Sequence, residues 1–147
     1  METIGLQEKA RPLQGTIEHY WFENERVGLA RTLFHRICIP FEPFDSGLDY
    51  VPQPERTELV VEWINLGLDD PAALDGVEIA MGQTPDVEAS IYLGAAHNWY
   101  EIEKLTLTRD GSCYRVASAG TVEFAREGVA IDERFAFQAT AVYRGAA

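Results

Sequence analysis

The stretch Val87-Glu88-Ala89-Ser90-Ile91-Tyr92-Leu93-Gly94-Ala95-Ala96-His97 decides the fold class. Its apolar residues fall on alternate positions, at Val87, Ala89, Ile91, Leu93 and Ala95, with His97 next in line. A second stripe has the same spacing, at Phe135, Phe137, Ala139, Ala141 and Tyr143. Mostly polar or small residues separate the members of both. Side chains alternate across a strand, so each stretch buries one face and wets the other. That pattern marks antiparallel sheet.

Working outward, the remaining chain breaks into segments of the same kind. Strands are expected over Thr16–Phe22, Leu29–Ile39, Thr57–Leu66, Val77–Met81, Val87–His97, Trp99–Arg109, Cys113–Phe124 and Glu133–Arg144. Leu59, Val61 and Trp63 should face inward on the third of these. Apolar parity slips between Tyr100/Ile102 and Leu105/Leu107, which predicts a bulge near Glu103-Lys104. Asp110-Gly111 signals a tight hairpin, and Gly120 a kink in the strand that follows. Thr3–Lys9 has room for one or two helical turns. Asp70-Pro71 followed by Gly76 reads as a capped helical turn, and Gly82–Asp86 as a plain turn. The segment from Pro40 to Pro54 holds four prolines and is expected to be a long loop packed by Phe41, Phe44, Leu48 and Tyr50.

The expected class is all-β: an antiparallel β-sandwich or a curved sheet closing toward a barrel, of about eight strands with one or two short helical turns. The alternative is α+β, with the N-terminal segment as a helix. Residues 1–147 suit one globular domain. No apolar h-region opens the chain, and no apolar run approaches membrane-spanning length. A cytoplasmic compartment is therefore expected, with Cys38 and Cys113 as reduced thiols.

Charge narrows the function classes. The chain has 24 acids against 12 bases, a net charge of −12. Residues 57–110 hold 11 of those acids and only Lys104 and Arg109 as bases. Such a field repels phosphate, which argues against nucleic acid and against anionic membranes. A basic protein partner suits it.

The standard catalytic and cofactor signatures are missing. There is no glycine-rich phosphate loop, no Cys-x-x-Cys, no His-x-x-x-His and no Gly-x-Ser-x-Gly. No cofactor and no metal are expected. Among the histidines, His35 falls on an apolar strand face, where a core histidine bonded to a neighbour is the simplest reading. His19 shares a face with Ile17 and Trp21.

The expected function is that of a non-enzymatic acidic interaction protein, of the inhibitor or immunity type, binding a basic partner. Asp69, Asp70, Asp75, Glu101 and Glu103 are its candidate contacts. The alternative is a small-molecule-binding barrel or barrel-type enzyme. It would have an apolar cavity, His97, Asn98 and Trp99 at the mouth, and the 40–54 loop as a lid. A third possibility is a homo-oligomeric subunit pairing through an edge strand or an aromatic face.

Overall fold

The computed structural model describes residues 2–84 and 86–147; Pro85, within the expected 82–86 turn, lies outside them. The strands are β1 (Gly15–Asn24), β2 (Leu29–Pro40), β3 (Glu58–Ile64), β4 (Glu78–Ala80), β5 (Glu88–Leu93), β6 (Ala96–Asp110), β7 (Cys113–Val122) and β8 (Glu133–Ala146). One short helix, α1 (Leu6–Lys9), precedes them, and 3-10 turns occur at Glu25–Val27 and Phe124–Glu127. The strands form one sheet in the order β4-β6-β5-β3-β2-β1-β8-β7, and a further pairing of β6 with β7 closes it. The fold is thus all-β and barrel-like: seven strands form the closed wall, and β4 lies outside it against β6.

One seam departs from the antiparallel expectation. β1 and β8 run parallel. The cause is parity: seven strands alternating up and down must leave the first and last pointing the same way. Along the first half of β8, where β1 does not reach, the N-terminal segment takes its place. The Gln7 side chain hydrogen-bonds both the N–H and the C=O of Ala136, as a neighbouring strand would. The Glu133 carboxylate accepts from Ile4 N (2.7 Å), Gly5 N (3.1 Å) and Leu6 N (2.8 Å). Ile4 and Leu6 are buried beneath this tether.

The apolar stripes fill the barrel. Ile17, Ile37, Leu59, Val61, Ile91, Leu105, Val116 and Phe135 are all essentially inaccessible. Tyr100 reaches across the interior, and its hydroxyl bonds Ser118 Oγ (2.9 Å) and Phe135 O (3.0 Å). The 41–57 loop packs over one end, burying Phe41 and Phe44. Its Tyr50 hydroxyl donates to Gly94 O, and Gly94 is tight against it: a Cβ there would lie 2.7 Å from that hydroxyl. The 65–77 segment covers the other end with buried Leu74, held by Tyr114 OH to Ala72 O (3.2 Å).

Three local readings are corrected. Val87–His97 is not one strand: Gly94 (φ 62) and Ala95 (φ 58) form a two-residue hairpin turn between β5 and β6. The turn flips the parity, so Asn98 points inward and His97 outward. Trp63 faces outward as well. β3 carries a bulge in which Glu62 and Trp63 oppose the single residue Arg36, and Ile64 returns to the core. The Asp70–Gly76 segment is a turn rather than a helix, although Asp70 Oδ1 does accept from Ala72 N at 2.9 Å. The β6 bulge occurs at Glu103, as expected. Gly120 sits opposite it, where a Cβ would come within 2.3 Å of Glu101 O.

Candidate functional site

The outer face of β1, β2 and β3 gathers aromatic and charged side chains. Alternation places Glu18, Tyr20 and Phe22 of β1 there, opposite Arg36, Phe34 and Thr32 of β2. The β3 bulge adds Trp63 to this face. Its φ of 57 is unusual for a bulky residue and is held by the ladder on either side. Trp63 meets Phe34 edge-on at 5.3 Å and 89°, Phe22 at 5.3 Å and Tyr20 at 5.9 Å. Such rings gain from perpendicular contact beyond their buried area.

A charged network borders these rings. Arg36 Nε donates to Glu62 Oε1 at 2.5 Å, and its guanidinium lies 5.4 Å above the Tyr20 ring. Tyr20 OH donates to Glu62 Oε2 at 3.1 Å. Burial and the Glu62 charge push the Tyr20 hydroxyl up to about 12, so it stays a donor at neutral pH. Glu62 stands directly across the strand pair from Glu88 of β5. Like charges in that relation repel. Arg36 offsets Glu62, but among the described residues neither Glu88 nor Asp86 has a basic side chain within ion-pair distance.

Beside these acids opens a cleft of about 470 Å³. One wall is the tip of the β1–β2 hairpin, with Val27, Gly28 and Leu29. Phe34 and Trp63 form the floor, and Asp86 and Glu88 the far rim. Val27 is 73% exposed. The volume of the cleft falls in the range typical of ligand sites.

The acids picked from the sequence fall in two places. Asp75 Oδ1 accepts from Arg109 N (2.8 Å), and Asp70 caps its own turn, so both have local structural work at one barrel end. Asp69 is exposed beside them. Glu101 and Glu103 lie further back along β6; the six residue steps from Arg109 to Glu103 span about 20 Å of strand. Glu103 pairs with Arg134, whose hydrogen bond holds the carboxyl below its ordinary range. Asp69, Asp70 and Asp75 lie in the same 65–77 segment, and Glu101 and Glu103 lie apart from them on β6.

His97, Asn98 and Trp99 do not share a mouth. Asn98 is fully buried, and its amide donates to Ile91 O, Leu93 O and Ala96 O, which ties off the β5–β6 turn. His97 packs outside against Tyr92 at 4.8 Å with the rings tilted by 59°, and Trp99 is 39% exposed.

The other two histidines meet at the far end of the barrel. His19 and His35 are paired across β1 and β2, with ring centroids 6.2 Å apart. His19 Nδ1 and the Tyr143 hydroxyl share a hydrogen bond of 2.5 Å. His35 Nε2 donates to Pro71 O (2.8 Å), which fixes the proton on that nitrogen and leaves Nδ1 buried without a partner among the described residues. Burial lowers the His35 pKa; the bond to Pro71 opposes this, and a charge on His19 adds to it.

Cys38 donates to Glu58 at 2.8 Å, and burial with that bond pushes its thiol up to about 12, far from a reactive thiolate. Compared with known families, curated proteins and solved structures, the chain matches none.

Proposed function

We propose that this chain is a non-enzymatic interaction protein that binds a basic protein partner through the outer face of β1, β2, β3 and β5. The observation that carries the reading is the cleft floored by Phe34 and Trp63, with the uncompensated acids Asp86 and Glu88 on its rim. Aromatic side chains are enriched at binding hot spots, and charges at the rim around them set partner choice. The excess of acid over residues 57–110 supplies a long-range field that speeds encounter with a cationic surface. In this reading Asp69, Asp70, Asp75, Glu101 and Glu103 contribute to that field from outside the contact. The alternative of an internal small-molecule site draws no support from the interior, which is occupied by side chains.

The test is capture from the protein's own cell extract by the tagged chain, washed at low and then at high salt. The expected result is one stoichiometric basic protein, released as salt screens the contact. Absence of any stoichiometric partner at low salt, or retention of one unaffected by salt, would overturn the reading. Light scattering on the purified chain separates self-association from hetero-association.

A further inference from the structure

We infer that the cleft between the β1–β2 hairpin tip and the start of β5 takes an arginine side chain of the partner; this rests on the interaction reading above. Three features of the cleft combine. Its floor is aromatic, at Phe34 and Trp63. Its rim carries two carboxylates, Asp86 and Glu88, both exposed. Its opposite wall is apolar, at Val27 and Leu29. An occupant matching all three has an apolar stem, a flat cationic end and several donors.

Arginine fits this description better than lysine. A guanidinium stacks on an aromatic face and presents two parallel N–H groups to a carboxylate, whereas an ammonium is a strongly hydrated point charge. The chain already builds half of this arrangement from its own residues. Arg36 lies over Tyr20 and bonds Glu62, and Arg31 lies 5.0 Å over Trp21. Among the described residues Glu88, directly across from Glu62, lacks the cation that Glu62 has. An incoming arginine would supply it and relieve the Glu62–Glu88 repulsion. The strained Trp63 backbone belongs to the same picture: the bulge turns the indole outward onto the cleft floor instead of into the core.

The experiment is a titration of the full-length, isotopically labelled chain, followed at the Trp63 indole N–H and assigned with Trp63→Phe. The probes are acetylated, amidated hexapeptides of alternating glycine with arginine, lysine or glutamine. The arginine peptide should give a saturable shift at Trp63 in the submillimolar to millimolar range and the glutamine peptide none. The lysine peptide should bind several-fold more weakly. The double variant Asp86→Asn/Glu88→Gln should weaken the arginine peptide by about fivefold or more. Glu103→Gln, on a different face, should leave it unchanged. Retained amide dispersion in each variant shows that the fold is intact.

No shift at Trp63 up to about 10 mM peptide would overturn the inference. So would equal binding of lysine, or insensitivity to the rim variants. If the same rim variant still captures a salt-sensitive basic partner from extract, the cleft assignment falls while the interaction reading stands. If the peptide binds but no partner is captured, the reverse holds.

Discussion

Removing the Glu133 carboxylate should loosen the N-terminal segment from the barrel, and the size of the effect can be bounded from two sides. Three backbone N–H groups, at Ile4, Gly5 and Leu6, donate to this one side chain. Hydrogen bonds to a charged acceptor contribute roughly 1.5–3 kcal/mol each when taken singly. Three that share an acceptor in a half-buried site do not add, so about 3 kcal/mol is the working figure. The ceiling is set by detachment. If the segment leaves, Ile4 and Leu6 return to water at about 1.5–3 kcal/mol apiece and the Gln7 bonds to Ala136 go with them, so the docking energy of the whole segment is the upper limit. Glu133→Ala is therefore expected to destabilise by about 3 kcal/mol. Glu133→Gln keeps the shape but exchanges one acceptor oxygen for a donor, and should cost about 2 kcal/mol. In a chain of this size, 3 kcal/mol corresponds to a Tm lower by roughly 6–12 °C. Thermal unfolding followed by circular dichroism gives the stability, and amide hydrogen exchange at residues 4–6 gives the mechanism. A Glu133→Gln variant within about 0.5 kcal/mol of the parent, with those amides still protected, would refute the reasoning.

Further expectations concern the core and the termini of the barrel. Asn98→Ala leaves the three carbonyls of the β5–β6 turn without their donor and should cost about 2–3 kcal/mol in chemical denaturation; a neutral outcome would mean that water replaces the amide. Gly120→Ala drives a Cβ into the Glu101 carbonyl and should be strongly damaging, read as loss of soluble folded protein or a large fall in Tm. His35 is neutral in the fold with a lowered pKa, so the unfolded chain binds the extra proton. Stability should hold above the unfolded value of about 6.5 and decline as pH falls below it, until the folded pKa is passed. His35→Gln should flatten that part of the pH profile, and an unchanged slope would exclude His35 as its source. Cys38, its thiol held at about 12, should alkylate at least a hundredfold more slowly in the folded chain than in denaturant at pH 8.

Much of the barrel was legible because alternation survives burial on one face. Phe135, Phe137 and Ala141, like Tyr114, Val116 and Val122, sit inward where period-two reading puts them. The bulge at Glu103 was legible too, since Ile102 and Leu105 announce a change of parity. What escaped was the same device where its signal is weaker. Gly94-Ala95 is not an Asn-Gly turn, and the flanking alanines let an apolar stripe run through a reversal of direction. At β3, only the spacing from Val61 to Ile64 betrays that Trp63 has been turned outward. That one missed bulge hid the cleft, whose walls come from the 25–29 hairpin tip and the 86–88 segment, far apart in sequence. The meeting of His19 and His35 depended on the register of β1 against β2, which no local pattern encodes.

The odd strand count also orders the assembly of the barrel in time. Every seam but one joins strands that are neighbours in the chain or nearly so, and each can zip from a nearby turn. The last seam brings together His19 and Tyr143, 124 residues apart, and its ladder is among the shortest in the wall. Closing so long a loop from an open chain costs about 4 kcal/mol in entropy, a cost that falls once the intervening hairpins have curled into a sheet. The barrel is then best pictured as a ribbon that coils and finally clasps. On that entropy the clasp is expected to form last on folding and to part first when the wall breathes, an order that hydrogen exchange along residues 15–19 would test.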